Sequence, residues 1–173
     1  MIPRLLESPN FNQRPADVTI DLVVIHGISL PAGEFGGAAV EELFLNRLDC
    51  SQSPFESLDG VRVSAHLFIN RKGEVTQFVP YSCRAWHAGK SEWLQQPDCN
   101  DYSIGIELEG SDQVAYTPRQ YDALIEVLRG LMIRYPQIEP ARIVGHADIA
   151  PQRKSDPGPA FNWPALRRRI GRP

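Results

Sequence analysis

Three cysteines in 173 residues, Cys50, Cys83 and Cys99, are too few and too scattered for a disulfide framework. None belongs to a Cys-x-x-Cys pair, and the pattern points to a reducing compartment. Long hydrophobic runs are missing too: nothing approaches the ~20 apolar residues that a membrane-spanning helix needs. The opening segment, Met1-Ile2-Pro3-Arg4-Leu5-Leu6-Glu7, lacks the apolar core of a signal peptide, so a cytoplasmic location is expected. Nor is there an excess of positive charge. A formal net charge of −3 offers no basic face to nucleic acid or to an anionic membrane, and neither is expected as a partner. The one basic cluster, Arg167-Arg168-Arg169, fits the last turn of a terminal helix, where cations complement the macrodipole. Repeats, low-complexity tracts and linkers are absent. What remains is a globular composition, 42% hydrophobic and 23% charged, long enough for one domain over residues 1–173 to bury its own core. A monomer is the simplest expectation.

The order of elements follows from hydrophobic periodicity. Asp21 to His26 is an unbroken apolar run ending on histidine, suited to a strand buried on both faces. A Gly/Pro turn follows, then a helix from Ala38 to Leu48 with Val40, Leu43, Phe44 and Leu48 at helical spacing. Arg62 to Ile69 alternates and turns at Asn70-Arg71-Lys72-Gly73 into a second strand, Glu74 to Val79, which predicts a hairpin. Ser103 to Glu109 alternates again. The clearest helix runs from Pro118 to Tyr135, with Thr117 and Gln120 in capping-box positions. A strand leading to His146, a long loop and a short helix from Asn162 or Trp163 to Ile170 complete the chain. Strands and helices interleave, and the hairpin makes the sheet mixed. The expected fold class is α/β (mixed α+β), a central mixed β-sheet flanked by helices.

Chemistry concentrates at two strand ends. His26 closes Leu22-Val23-Val24-Ile25-His26 and His146 closes Arg142-Ile143-Val144-Gly145-His146, with Asp156 ten residues later in Lys154-Ser155-Asp156-Pro157-Gly158. Either histidine alone reads at least as well as a hydrogen-bonded rim or core residue, and the aspartate alone reads as the opening of a turn. Two histidines at matching strand ends plus a carboxylate make a three-ligand zinc site, which leaves a fourth position for water or substrate oxygen. His66 and His87 are ligands by chemistry too, or line the cleft behind the ligands. A hydrolytic site also needs a base. Glu107 lies on the strand face opposite Ile104, Ile106 and Leu108, with Gly105 leaving room above the sheet. Glu109 shares that face but ends the strand, where solvation is expected. Lys154 would place a positive charge near a developing oxyanion, though Glu107 reads equally, and Lys154 somewhat better, as an ordinary surface charge.

Taken together, the segments resemble the AmpD-type members of the N-acetylmuramoyl-L-alanine amidase type 2 family. The matching blocks are residues 24–31, Gly33-Glu34-Phe35-Gly36-Gly37 and Arg62-Val63-Ser64-Ala65-His66, then Arg84-Ala85-Trp86-His87-Ala88-Gly89, Cys99-Asn100-Asp101 and residues 103–110. Gly145-His146-Ala147-Asp148-Ile149-Ala150-Pro151 and residues 153–159 complete the set. The resemblance implies a peptidoglycan recognition protein/phage lysozyme-like amidase fold. It implies zinc (Zn2+) held by His26, His146 and Asp156, with Glu107 and Lys154 as catalytic partners. The aspartate fits this branch, since many relatives carry cysteine as third ligand. The implied substrate is a 1,6-anhydro-muropeptide, cut between the lactyl group and L-alanine during cell-wall recycling. Beside what the resemblance implies, Trp86 reads as a surface for the sugar and Arg62 and Arg153 as partners of peptide carboxylates, though each reads at least as well as core packing or a surface charge. Gly27 departs from the asparagine of close relatives, and a side chain lost beside a ligand would weaken a sugar contact.

Three alternatives separate on simple grounds. An amidase for intact peptidoglycan would need an export signal, and a non-catalytic muropeptide sensor would lack a ligand. A zinc nucleobase deaminase would need His-x-Glu and Pro-Cys-x-x-Cys, which the chain does not contain.

Overall fold

The run of β-branched and aliphatic residues after Asp21 forms the strand at the centre of the molecule. In the computed structural model, which describes residues 2–171, this strand is paired over its whole length on one side and over Val23–Ile25 on the other. Met1, Arg172 and Pro173, the ends of the 1–173 domain reading, lie outside the described residues. The strands are β1 (Arg4–Leu5), β2 (Phe11–Gln13), β3 (Leu22–Ile28), β4 (Leu67–Ile69) and β5 (Val75–Gln77). They continue as β6 (Cys83–Ala85), β7 (Glu92–Trp93), β8 (Gln96–Pro97), β9 (Ser103–Glu109) and β10 (Ile143–Gly145). The helices are α1 (Ala39–Phe44), α2 (Pro118–Arg134), α3 (His146–Ile149) and α4 (Trp163–Ile170).

Six strands form one sheet in the order β1-β5-β4-β9-β3-β10. All neighbours run parallel except β4 and β5, the expected hairpin, so the sheet is mixed as its sequence pattern implied. One face carries Val23, Ile25, Ile104, Ile106 and Leu108, which pack with Leu67 and Ile69 under α2 and α4 through Leu124, Leu128, Leu166 and Ile170. The strict alternation of β9 then forces Gly105 and Glu107 onto the other face. That face is covered by loops rather than long helices, through clusters around Phe44 and Phe78 and around Tyr102 and Ile149. One face is for packing and the other is left for chemistry.

Several boundaries moved, each for a local reason. β3 runs two residues past His26, because its pairing with β9 continues through Ile28↔Glu109. β10 stops at Gly145, and His146 instead opens α3, with the Gly145 N–H donating to the Asp148 carboxylate at 2.7 Å. Only Leu67–Ile69 of the expected strand from Arg62 is paired in the ladder, and its alternation does not divide a buried from a polar face, since Ser64, Ala65, His66, Leu67 and Phe68 are all buried. α1 spans Ala39–Phe44, shorter than the Ala38–Leu48 reading, because Asn46 takes positive φ and ends it. α2 keeps its capping box: the Gln120 N–H donates to Thr117 Oγ1, and the Thr117 N–H to Gln120 Oε1. Arg167, Arg168 and Arg169 sit in the last turn of α4 as expected. Cys50, Cys83 and Cys99 are all free thiols.

Candidate metal centre

Parallel strands that end together put their C-terminal residues on one rim, where ligand sites of open α/β sheets form. Register makes this concrete. His26 pairs with Glu107 across β3 and β9, while Gly145 pairs with Ile25, which delivers His146 beside His26. The loop after α3 folds back because the Ala147 N–H donates to the Asp156 carbonyl at 2.9 Å. A residue ten positions downstream of His146 thereby returns to the same rim.

Three donor atoms converge there. His26 Nδ1 and His146 Nδ1 are 2.9 Å apart, and Asp156 Oδ2 lies 3.3 Å from the first and 3.1 Å from the second. A tetrahedral ion with ~2.0–2.1 Å bonds sets its donors roughly 3.3 Å apart, so the spacing fits zinc. Among the described residues, His26, His146 and Asp156 form the one group of three or more potential ligands close enough to hold a metal. The donor chemistry agrees. Three lone-pair atoms cannot crowd together unless something positive lies among them, either imidazole protons or a cation. Burial pushes the Asp156 carboxyl up, but the two imidazoles outweigh it and hold the group below the ordinary carboxylate range. Burial lowers His26 to about 4, so it enters the cluster as a neutral ring, the form that binds metal.

Glu107 stands beside this cluster, its Oε1 3.9 Å from His26 Nδ1. Its Oε2 is buried and has no hydrogen-bond partner. An orphaned carboxylate oxygen is costly unless a ligand or water completes it. Burial, and secondly the charge of Asp156, push the Glu107 carboxyl well above its ordinary value, with Lys154 opposing. Lys154 is exposed and lines the same cleft, together with Trp86, His87, Glu107, His146 and Asp156.

Other expected site residues are placed differently. Glu109 is not solvated. It is buried, and its carboxylate accepts the N–H groups of Gly36 and Arg71, anchoring the glycine-rich loop to the sheet. Arg62 is exposed and borders a separate groove with Leu43, Asn46 and Leu58, away from the cleft. Arg153 donates to the carbonyls of Ala88 (2.6 Å) and Lys90 (2.9 Å), so its guanidinium is tied to backbone. His66 is fully buried: its Nδ1 accepts the Gly105 N–H at 3.0 Å and its Nε2 lies 3.0 Å from the Cys83 carbonyl. Burial lowers it to about 3. The space above Gly105 is not open, because the His87 ring fills it, and a Cβ there would come within 2.4 Å of His87 Cγ.

Tyr116 carried no signal in the sequence beyond an aromatic residue just before a helix cap. Its hydroxyl donates to the Pro157 carbonyl at 3.0 Å, next to Asp156. The same hydroxyl would lie 2.2 Å from a Cβ on residue 27, while the ring carbon Cζ would be 3.5 Å away. Gly27 is therefore the space that Tyr116 occupies, rather than a lost contact alone. Gly27→Ala should displace Tyr116, loosen the Asp156 loop and destabilise the protein by about 1–3 kcal/mol, as overpacking does. In a Tyr116→Phe background the same alanine meets ordinary contacts. A double-mutant cycle by chemical denaturation should thus show strong coupling, and additive effects would refute the clash.

Comparison with known proteins gives consistent findings. The family model described as N-acetylmuramoyl-L-alanine amidase matches residues 16–159. The chain is 50% identical over 165 residues to the 1,6-anhydro-N-acetylmuramyl-L-alanine amidase AmpD of Escherichia coli K12, covering 95% of this chain and 90% of that protein. A crystal structure of a selenomethionine AmpD derivative superposes with a TM-score of 0.94 at 47% identity, covering 97% of this chain and 94% of that one. The amidase AmiD of E. coli, in complex with anhydro-N-acetylmuramic acid-L-Ala-D-gamma-Glu-L-Lys, superposes with a TM-score of 0.63 at 33% identity, over 91% of this chain and 60% of that one.

Proposed function

Because the chain belongs to the N-acetylmuramoyl-L-alanine amidase family, we propose that it hydrolyses the amide between the lactyl group of 1,6-anhydro-N-acetylmuramic acid and L-alanine, with zinc held by His26, His146 and Asp156. The observation that carries this reading is the convergence of three donor atoms beside a buried carboxylate oxygen that lacks a partner. The choice of anhydro-sugar rests on the half-identical E. coli relative, whose name specifies that substrate.

A zinc ion bound there would polarise the scissile carbonyl and make water acidic enough to attack near neutral pH. The remaining work falls to the protein. Glu107 takes the proton of the attacking water on its unpartnered oxygen and passes it to the leaving L-alanine nitrogen. Its raised pKa suits both halves of that transfer. Lys154, at the rim, offers an ammonium to the negative charge that develops on the carbonyl oxygen. Trp86, steadied by its indole N–H to Asn12 Oδ1 at 2.6 Å, forms a wall against which a sugar can pack. No helix among the described residues is long and apolar enough to cross a membrane. The substrates we propose are anhydro-muropeptides of the cytosol.

The test is metal analysis followed by mass spectrometry of the products from an anhydro-muropeptide and from intact sacculi. Stoichiometric zinc with free peptide released from the anhydro-muropeptide is expected. Release from sacculi alone would replace this reading by that of a wall-cutting amidase. Bound zinc without any hydrolysis would leave a sensor.

A further inference from the structure

Each histidine of the cluster has a second ring nitrogen pointing away from it, and the two are held in different ways. His146 Nε2 lies 3.1 Å from the Ala88 carbonyl. A carbonyl only accepts, so this nitrogen carries the proton and Nδ1 keeps its lone pair for the centre. His26 has no such carbonyl. Its Nε2 lies 2.9 Å from His87 Nδ1, and both are ring nitrogens that can donate or accept. That contact alone leaves the proton unassigned.

The assignment comes from further back. His87 Nε2 is 3.2 Å from Ser103 Oγ, and Ser103 Oγ donates to the Cys99 carbonyl. The serine has one hydroxyl proton, and the carbonyl takes it. Ser103 Oγ must then accept from His87, which places the proton of a neutral His87 on Nε2 and a lone pair on Nδ1. That lone pair in turn requires the N–H of His26 to be on Nε2. The Nδ1 lone pair of His26 is thereby directed at Asp156 and His146. All members are buried: His26 at 1% exposure, His87 at 9%, Ser103 and Cys99 at 0%. Water therefore does not compete for the links.

We propose that Ser103 and His87 are positioning residues for His26, forming a relay anchored on the Cys99 carbonyl that fixes its proton on Nε2 and its Nδ1 at the metal centre. The dipeptide His87-Ala88 then serves both histidines, by side chain behind His26 and by carbonyl behind His146. Asn100 Oδ1 holds that dipeptide by accepting the N–H groups of His87 (3.1 Å) and Ala88 (2.8 Å). Arg14 fixes the anchor segment, donating to the carbonyls of Asn100 (3.0 Å), Asp101 (2.6 Å) and Ser103 (2.8 Å). The missing Cβ of Gly105 makes room for the His87 ring.

The inference rests on His26, His146 and Asp156 binding metal, and the experiment separates the two ideas. Zinc affinity is measured by chelator competition for wild type, Ser103→Ala, His87→Leu and His87→Asn, alongside thermal unfolding of the metal-free forms. His87→Leu removes the acceptor for His26 and should weaken zinc binding about 10- to 100-fold, the usual effect of losing a partner behind a ligand. Ser103→Ala frees His87 to change tautomer and should weaken it less. His87→Asn offers an amide oxygen where Nδ1 was, and should recover part of the loss. Long-range ¹H–¹⁵N correlation spectra of zinc-loaded wild type should show His87 protonated on Nε2 only, a readout that needs no variant to fold. Affinities of His87→Leu and Ser103→Ala equal to wild type, no recovery in His87→Asn, or a proton on His87 Nδ1 would each overturn the relay. A wild type that binds no zinc would instead overturn the metal reading itself.

Discussion

Glu107→Gln should leave zinc bound and lower kcat by about 10²- to 10⁴-fold, the range of a general acid–base contribution. Glutamine preserves the size and burial of the side chain but can neither take nor return a proton. The same substitution should make the metal-free protein more stable at neutral pH. The sign follows from linkage. Burial and the charge of Asp156 raise the folded-state pKa of Glu107, so the unfolded chain gives up this proton more readily. Stability is then lost as pH rises from below the ordinary glutamate pKa of ~4.3 through the raised value, and the amide removes that loss. Denaturation of metal-free wild type and variant at acidic and neutral pH should show their difference growing with pH. Loss of zinc, or a near-normal rate, would remove Glu107 from the chemistry.

Asp156→Asn should have the second large effect, now on the metal. It removes the one negative charge among the three donors and should weaken zinc binding by more than the ~10- to 100-fold of an outer partner, taking turnover with it. The metal-free protein should respond in the opposite sense to Glu107→Gln. The folded-state pKa of Asp156 is depressed by its two imidazole neighbours, so its contribution is present above the ordinary aspartate pKa of ~3.9. It disappears as pH falls through the lower folded value. Metal-free Asp156→Asn should accordingly be less stable than wild type at neutral pH, and the gap should close on acidification. Unchanged zinc affinity by chelator competition would exclude Asp156 as a ligand.

What could be read in the chain, and what could not, divides along physical lines. The strand ending at Glu109 and the capped start of α2 were legible because period-two alternation and the Thr117/Gln120 pair are local signals. The face assignment of Glu107 was legible for the same reason. Non-local facts were not. Nothing near Glu109 in sequence announces that the N–H groups of Gly36 and Arg71 would bury its carboxylate. The glycine at 105 suggested open room above the sheet, but the His87 ring, from a different loop, fills that space. Tyr116 and Gly27 lie far apart in the chain, and only the fold brings a hydroxyl to the place of a missing side chain. Arg62 had the right charge for a peptide carboxylate but stands at another groove.

The rung that pairs His26 with Glu107 also has a consequence in time. Its two members, and His146 and Asp156 beside them, come from chain segments widely separated in sequence. No fragment short of the assembled β9-β3-β10 core presents the donors together. A metal ion therefore has little to grip early in folding and everything to grip once the sheet is closed. A metal bound there would act as a latch on the finished molecule, retarding escape from the native state rather than hastening arrival there. Slippage of β3 against β9 by one residue would turn His26 toward α2 and dismantle the latch. The chain thus carries its own check that its central strands have met in the right register.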